Sequence, residues 1–194
     1  MKRVFDIAAS ALGLALLAPL LLAVALWVRL DSPGPVLFRQ TRVGRHGVLF
    51  QIHKFRTMQA DAPARGLAVT ADGDARVTRS GRWLRASKLD ELPQLWDVLR
   101  GAMSLVGPRP EVPQYVAHYP PELRELVLSV RPGITDPASL RFRHESALLA
   151  ASPDPERTYL QEVMPAKLAL AAEYVRTRSG WGDVKIILAT LRAL

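Results

Sequence analysis

The stretch of sequence that decides the fold is the N-terminal "MKRVFDIAASALGLALLAPLLLAVALWVRL", residues 1–30. It is apolar from Val4 to Val28, apart from Asp6 and Ser10. A helix of this length reaches roughly 35–40 Å, enough to cross a hydrocarbon core of roughly 30 Å. Three interpretations are open: a cleaved signal peptide with an A-x-A site, a spanning helix, and a helix that enters the membrane and turns back.

A proline near the middle of the stretch favours the third interpretation. Pro19 removes the amide that would bond the carbonyl of Ala15, and its ring crowds that carbonyl, so a sharp kink is expected. Each half then has about 12–15 residues, too few to span alone. The cations that flank the two ends are Lys2, Arg3, Arg29, Arg39, Arg42 and Arg45. Because cations prefer the cytoplasmic side, we favour a re-entrant membrane helix over residues 1–30, bent at Ala18 and Pro19.

Overall charge indicates an anionic partner. The 194 residues contain 26 lysines and arginines against 18 acids, a net charge of +8. Nucleic acid, anionic lipid and a phosphorylated substrate all fit such a balance, and so does a merely solvated basic surface. The absence of cysteine excludes disulfides and thiolate metal sites, and the four histidines lack the spacing of zinc ligands.

Residues 31–194 are expected to form one continuous α/β unit with this anchor. Two runs rich in Val, Leu, Phe and Ile flank "GRHG" and predict a β-hairpin. Residues 59–78 are polar and rich in small side chains, typical of a surface loop. Apolar periodicity predicts amphipathic helices that pack in the core or lie at the membrane interface. Their approximate ranges are 80–101, 120–133, 155–180 and 181–194.

Two adjacent carboxylates stand out in "RASKLDELPQLWDVLRGAMSLVGPRPE", residues 85–111. Pro93 is best tolerated in the first turn of a helix, which places Asp90 and Glu91 near a helix N-terminus. The simplest interpretation is that these acids only cap the helix, whose dipole favours an ionised Asp90. Adjacent helical residues point about 100° apart, so the two carboxylates cannot do the same work from the same direction.

Cations around the pair favour chemistry on phosphate, because the arginine fork matches phosphate oxygens. The cations near it in sequence are Lys54, Arg56, Arg79, Arg82, Arg85, Lys88, Arg100, Arg109 and Arg131. A carboxylate among arginines can hold Mg²⁺, or attack phosphorus and form an aspartyl phosphate. Arg109 lies between Pro108 and Pro110, whose fixed φ suits a preformed phosphate clamp. An exposed arginine on a structural turn is the alternative.

Several motifs in order give the chain a family resemblance. They are "KRVFDI", "GPVLFRQTRVG", "HKFRTM", "LRASKLDELPQLWDVLRGAMSLVGPRP" and "VRPGIT", and they extend over nearly the whole chain. On these motifs the chain resembles the bacterial sugar transferases called monotopic phosphoglycosyl transferases. The resemblance implies a small α/β catalytic domain at the cytoplasmic face of the bacterial inner membrane. It also implies a re-entrant helix bent at a Ser-Pro or similar pair, which here is Ala18-Pro19.

The resemblance further implies a reaction and the residues that carry it out. Asp90 would attack the β-phosphate of a UDP-sugar and contact Mg²⁺, UMP would leave, and polyprenol (undecaprenyl) phosphate would take the phosphosugar. Glu91 would position groups or accept the acceptor's proton. Arg85 and Arg109 would hold the phosphates, and Lys54 and Arg56 would support the site.

One stretch departs from the family pattern and leaves the sugar undefined. Where many relatives have "RPGITG", this chain has Asp136 in place of the last glycine, followed by "SLRFRHE". Arg141 and Arg143 in this stretch, and Arg131 in "VRPGIT", are candidate substrate contacts, and a surface role is the alternative for Arg141 and Arg143.

Other function classes stay open on the sequence alone. A membrane-tethered basic protein that binds anionic lipid or nucleic acid is one alternative, and a hydrolase with an aspartyl phosphate is another. We expect no nucleic-acid partner, because no stacking motif or nucleic-acid fold is recognisable. Membrane lipids are expected partners, and a homodimer is compatible with the sequence.

Overall fold

The computed structural model of the chain describes residues 1–62 and 73–193 and confirms a mixed α/β fold. The strands are β1 Leu37–Val43, β2 Leu49–Phe55, β3 Ser104–Val106 and β4 Gly133–Thr135. The helices are α1 Lys2–Asp31, α2 Arg79–Ala86, α3 Gln94–Arg100, α4 Pro113–Val116, α5 Pro121–Leu128, α6 Pro137–Arg141, α7 Glu145–Ala150, α8 Pro155–Thr158, α9 Met164–Thr177 and α10 Gly180–Ala193. Short 3-10 turns lie at Arg45–Gly47 and Leu89–Glu91, and a π-helical turn at Tyr159–Val163. Half of the predicted surface loop, residues 63–72, lies outside the described residues.

The N-terminal stretch forms one helix, α1, that runs through Ala18 and Pro19 without an interruption. By length and composition it is apolar enough to cross a membrane, and it is the one such helix in the part of the chain that the structure describes. Its exposed residues include Leu12, Leu16 and Leu22. The predicted bend at Pro19 does not divide the helix in two, and the re-entrant course stays a prediction.

Polar contacts fasten the N-terminal end of α1 to the rest of the chain. The guanidinium of Arg3 donates to the carbonyls of Val98 and Leu99 at 2.5 and 2.9 Å, where α3 ends. The buried carboxylate of Asp6 accepts from the hydroxyl of Ser104 at 2.8 Å. The first turns of α1 therefore lie against α3 and β3.

A second set of contacts fastens the other end of the same helix. The carboxylate of Asp31 accepts from the amide and hydroxyl of Ser80 at 2.9 and 2.8 Å, at the start of α2. The guanidinium of Arg56 donates to the carbonyls of Val28 and Ser32, at the C-terminus of α1, at 3.2 and 2.7 Å. Both ends of a helix about 45 Å long thus contact one protein body.

The predicted hairpin is confirmed and lies between the anchor and the acidic pair. β1 and β2 pair antiparallel, with Leu37 opposite Phe55 and Val43 opposite Leu49, around the predicted turn. Phe55 packs in a cluster with residues of α1 and α2, and Ile52 packs in another with residues of α3. These packing contacts fix the position of the strand that carries Lys54.

A parallel pair of three-residue strands, β3 and β4, was not predicted, because such short strands leave no periodic signal. Gly107 and Gly133 allow this pairing, since a Cβ on Gly133 would collide with the backbone of Gly107. The pairing places the turn that contains Arg109 beside Asp136, whose carboxylate accepts from the Arg109 amide at 3.4 Å.

The helices after β3 differ from the prediction in detail. α5 ends at Leu128, earlier than the predicted stop at Pro132 and Gly133. Pro165 lies in the first turn of α9, directly after the π-helical turn, where its missing amide costs least. α10 packs on the core through its isoleucines, whereas Trp181 and Leu191 are exposed, so its apolar residues divide between the core and the surface.

Candidate active site

Asp90 and Glu91 lie on the 3-10 turn Leu89–Glu91, before α3 rather than within it. The pair lies near the N-terminus of this helix, as predicted, but Pro93 precedes the helix instead of lying in its first turn, and α3 begins at Gln94. Lys88, the residue before the turn, has a φ of 56°, a left-handed conformation that is rare outside glycine. This change of chain direction separates the two carboxylates from α2.

The Glu91 carboxylate is enclosed by two cations. Arg109 donates to both of its oxygens, with Nη1 to Oε2 at 3.0 Å, and Lys54 Nζ donates to Oε1 at 2.9 Å. Burial alone would raise the pKa of this carboxyl, but the charges of Arg109 and Lys54 and their hydrogen bonds outweigh it. The Glu91 pKa is therefore held well below its usual value.

The Asp90 carboxylate has the opposite surroundings. It is 7% exposed, and its Oδ1 has no hydrogen-bond partner among the described residues. Burial first, and then repulsion from Glu91, raise the pKa of Asp90 to about 6, against the lowering effect of cations that include Lys54, Arg85 and Lys88. Neighbouring carboxyls with pKa values pushed apart are typical of pairs that divide a chemical task.

Two residues of the motif "HKFRTM" help to position the charged groups around this pair. Lys54 reaches Glu91, and the hydroxyl of Thr57 accepts from Arg85 Nε at 3.0 Å, which holds that arginine close enough to Asp90 to influence its pKa. Arg56 does not join them, because its guanidinium is used at the end of α1. The structure therefore brings Lys54, Arg85 and Arg109 of the predicted set to the acidic pair.

The remaining predicted arginines lie elsewhere. Arg131 donates to the carbonyl of Gly101 at 2.8 Å, just beyond the end of α3. Arg141 is exposed, and Arg143 is exposed with its Nε 3.0 Å from Nε2 of His144. Of these three arginines only Arg143 lines the cavity that opens beside Glu91 and Arg109.

A cavity of about 510 Å³ opens beside Glu91 and Arg109. Asp90 itself does not line it, so the cavity begins on the Glu91 side of the pair. One part of the wall is apolar, with side chains from α3 and the residue after the 3-10 turn, from β3 and β4, and from α10: Leu92, Leu95, Leu105, Ile134, Ile187 and Leu191. The other part is polar: Gln40, Arg42, Glu111, Tyr159, Ser139, Arg143, Glu145 and Lys167.

The polar part contains a charged network that sequence reasoning missed. Glu111 accepts from the hydroxyl of Tyr159 at 2.5 Å and from Arg42 Nη1 at 3.4 Å. Lys167 lies 4.0 Å from Glu111 and donates to Glu145 at 2.9 Å. Arg42 lies in "GPVLFRQTRVG", Glu111 directly follows "GPRP", and Glu145 ends the divergent stretch "SLRFRHE". Tyr159 and Lys167 come from distant segments and carry no motif.

A second missed pair holds the strand behind Lys54. His53 Nδ1 and Asp97 Oδ1 share a hydrogen bond of 2.6 Å, and Asp97 Oδ2 accepts from the His53 amide at 2.9 Å. Both residues are buried. Because His53 precedes Lys54, this pair fixes β2 to α3 and helps to direct Lys54 towards Glu91.

Asp136, the departure from the family pattern, has a structural role in this chain. Its buried carboxylate accepts from the Ser139 amide at 2.7 Å and caps α6. The same side chain accepts from the Arg109 amide. Asp136 therefore connects the turn that contains Arg109 to α6, the helix where the divergent stretch begins.

The acidic pair offers few ligands for a metal. No group of three or more His, Cys, Asp or Glu side chains is arranged to hold a metal ion within residues 1–62 and 73–193. Mg²⁺ bound with phosphates commonly takes only one or two carboxylates from the protein. The unpartnered Asp90 Oδ1 fits that mode, whereas both Glu91 oxygens are already bonded to cations.

Comparisons with known proteins agree with the motifs. The family described as bacterial sugar transferase matches residues 1–194. A UDP-glucose:undecaprenyl-phosphate glucose-1-phosphate transferase of Caulobacter vibrioides is 45% identical over 100% of this chain and 69% of its own length. An undecaprenyl-phosphate glucose phosphotransferase of Komagataeibacter xylinus is 43% identical over 98% of this chain and 35% of its own length.

A third relative is named for a different sugar. The UDP-N-acetylgalactosamine-undecaprenyl-phosphate N-acetylgalactosaminephosphotransferase of Aeromonas hydrophila is 38% identical over 100% of this chain and 43% of its own length. The chain thus spans less than half of two of these relatives and 69% of the other. The relatives are named for different sugars but for the same acceptor, undecaprenyl phosphate. Because the family match covers residues 1–194, this chain belongs to the bacterial sugar transferase family.

Proposed function

We propose that the protein is a phosphoglycosyl transferase that moves a sugar-1-phosphate from a UDP-sugar to undecaprenyl phosphate and releases UMP. The observation that carries this proposal is the contrast between Asp90, buried with a free oxygen, and Glu91, bonded to Lys54 and Arg109. One carboxylate is available to react, and its neighbour holds two cations where phosphate oxygens would bind. The names of the relatives supply the substrate classes.

Asp90 is the nucleophile in this proposal. A carboxylate oxygen forms a bond to the β-phosphorus of the donor, the bond from that phosphorus to the bridging oxygen breaks, and UMP leaves with the electron pair. The phosphosugar is then an acyl phosphate on Asp90. In the second half, a phosphate oxygen of undecaprenyl phosphate attacks the same phosphorus and the Asp90 carboxylate is released. Lys54, Arg85 and Arg109 stabilise the charge that develops on the transferring group.

Glu91 acts as a positioning residue rather than a base. Its lowered pKa makes the carboxylate a poor proton acceptor near neutral pH. Its two cation contacts instead fix the directions of Lys54 and Arg109. The sequence left two roles open for Glu91, positioning and proton acceptance. We therefore assign it the positioning role.

Mg²⁺ is the proposed cofactor. Asp90 would hold it together with the donor's diphosphate oxygens, where the ion neutralises phosphate charge. The missing hydrogen bond at Asp90 Oδ1 supports this assignment. The apolar part of the cavity wall, formed mainly by α3, β3, β4 and α10, is suited to the isoprenoid portion that adjoins the acceptor phosphate.

The proposed location is the cytoplasmic face of the bacterial inner membrane, with α1 as a monotopic anchor. Support comes from the two fastened ends of α1, near Asp6 and near Asp31. A straight crossing would separate these ends by the thickness of a bilayer and pull one of them away from the protein body. The exposed leucines between them, Leu12, Leu16 and Leu22, would face lipid.

Cysteine labelling tests this topology, because the native chain has no cysteine. We expect V4C and L30C to react with a membrane-impermeant maleimide from the cytoplasmic side only, since both ends of α1 lie on one side. L16C, between the fastened ends, should be protected in both orientations and serves as the lipid-embedded control. Reaction of V4C and L30C from opposite sides would exclude the monotopic arrangement.

A UMP-release assay tests the function itself. Nanodisc-held protein with Mg²⁺ is given each of a panel of UDP-sugars, with and without undecaprenyl phosphate. We expect UMP release limited to about one equivalent per protein without the acceptor, and continuous release with it, as a covalent intermediate requires. Continuous release of UMP without the acceptor would indicate a hydrolase. Absence of UMP with every sugar would contradict the proposal.

A further inference from the structure

The polar part of the cavity wall is not used by the acidic pair or by the proposed chemistry. Apart from Gln40 and Arg42, this part contains Glu145, Lys167, Ser139 and Arg143, together with Glu111 and Tyr159. We call the last six residues the polar wall. Because Glu111 lies two residues after Arg109, the polar wall begins next to the turn that holds the phosphate clamp.

Three charged residues of the polar wall, Lys167, Glu145 and Glu111, interact with one another and line the cavity. Lys167 Nζ donates to Glu145 Oε2 at 2.9 Å and lies 4.0 Å from Glu111 Oε1. The side chains of Lys167 and Glu111 are 14% and 12% exposed, so the network is largely removed from solvent. Such a network supplies donors and acceptors that are already held in place before a ligand arrives.

One hydroxyl of the polar wall lacks a partner. Ser139 Oγ is buried and makes no hydrogen bond within the described residues, although it lines the cavity. The amide of Ser139 is fixed by Asp136, which also accepts from the Arg109 amide. Ser139 therefore presents an unused hydrogen-bonding group at a fixed position relative to the phosphate clamp.

The π-helical turn Tyr159–Val163 sets the opposite side of the polar wall. Turns of this kind are rare and occur frequently at functional sites. Here the turn carries Tyr159, whose hydroxyl donates to Glu111 and whose ring lies 5.3 Å from Lys167 Nζ. The ring also packs against Tyr115, with centroids 4.9 Å apart.

On the basis of the proposed function, we infer that the polar wall recognises the hydroxyl groups of the donor's sugar by hydrogen bonding to them. Glu145, Lys167 and Ser139 are the specificity-determining residues. Carboxylate, ammonium and hydroxyl groups match the neighbouring hydroxyls of a sugar ring. A site built to hydrogen-bond a substrate hydroxyl rejects an analogue that presents it wrongly, since buried polar groups then stay unpaired.

The other parts of the two substrates fit the polar wall less well. An isoprenoid chain would bury charged groups without hydrogen bonds, at a large desolvation cost. A uracil base binds best where an aromatic face is free for stacking. Contacts with Lys167 and Tyr115 already occupy the ring of Tyr159.

The test compares donor sugars and nucleotide in the same variants. We measure kcat/KM for UMP release from UDP-glucose, UDP-galactose and their N-acetylated counterparts, and the affinity for UMP alone, in wild type and in E145Q, K167M and S139A. The ratio between the best and second-best sugar should change ~10-fold or more, while the UMP affinity stays the same. E162Q and K185M are matched controls, because Glu162 and Lys185 are exposed and do not line the cavity.

The outcomes separate this inference from the function on which it rests. An equal loss with every sugar in all three variants would show that the polar wall only supports the fold, and thermal melting of the same samples reports that loss directly. Weaker UMP binding at an unchanged sugar ratio would assign the polar wall to the nucleotide and overturn the inference. If wild-type protein releases UMP from no donor, the proposed function itself fails.

Discussion

Asp90→Asn is expected to abolish UMP release and, in the same protein, to increase stability at pH 7. The amide cannot form the acyl phosphate, so the loss of rate should be on the order of 10⁴-fold or more. A protein that only binds anionic lipid through its net charge of +8 would hardly change. Retention of UMP release by this variant, or a phosphosugar adduct on a different side chain, would contradict the assignment of Asp90.

The gain in stability follows from the raised pKa of Asp90. The pKa rises from the usual 3.8 to about 6 in the folded protein, mainly through burial, so the folded state binds the proton more tightly than the unfolded state. Proton binding at Asp90 therefore stabilises the folded state fully below pH 3.8, and this stabilisation is lost as the pH rises through about 6. The free energy of unfolding changes by about 3 kcal/mol between these limits. At pH 7 the folded protein therefore carries the cost of a buried charge that asparagine does not have.

Unfolding in EDTA between pH 4 and 7.5 measures this effect without Mg²⁺. The stability of Asp90→Asn relative to wild type should rise as the pH increases from 4 to about 7 and then become constant. Glu162→Gln, at an exposed site, provides a control in which the difference should not depend on pH in this way. A variant that is uniformly less stable at every pH would show that Asp90 is not a destabilising charge.

The sequence could predict the acidic pair and a division of work within it, but not the difference in pKa between its members. That difference depends on Lys54, 37 positions before Glu91, and on Arg109, 18 positions after it. The hairpin was predictable because its turn and strands are adjacent in sequence, whereas β3 and β4 are three residues each and meet through a crossover. The guanidinium of Arg56 could bind phosphate, but it donates instead to the free carbonyls at the end of α1.

The polar wall also depends on contacts between residues that are distant in sequence. Ser139, Arg143 and Glu145 lie in the divergent stretch that runs from α6 to α7. Lys167 of α9, Tyr159 of the π-helical turn and Glu111 are distant from it in sequence, and no local pattern connects them to it. The divergent stretch did indicate a place where this chain differs from its relatives. Its arginines were the obvious candidates, yet Ser139 and Glu145 are the more enclosed side chains and Arg141 is exposed.

Glu91→Gln is expected to lower stability by about 3 kcal/mol and to reduce activity strongly. Without the carboxylate, Lys54 and Arg109 keep their charges in a largely buried place with only an amide oxygen as acceptor. The two cations also lose the contacts that direct them, so both KM for the UDP-sugar and kcat should worsen. Urea unfolding and the UMP-release assay measure the two effects, and Glu122→Gln on the exposed side of α5 is the control.

The pH dependence of Glu91→Gln should have the opposite sign to that of Asp90→Asn. The folded pKa of Glu91 lies well below its usual 4.5, so its stabilising effect is present above pH 4.5 and is lost only as the pH falls through the lowered pKa. The double variant Glu91→Gln/Lys54→Met should recover part of the stability, because it removes one unpaired charge, but none of the activity. Recovery of activity in the double variant would mean that Lys54 and Glu91 serve the fold alone. If the Glu91→Gln protein were as stable as wild type at pH 7, the Glu91 carboxylate would not be the counter-charge of Lys54 and Arg109.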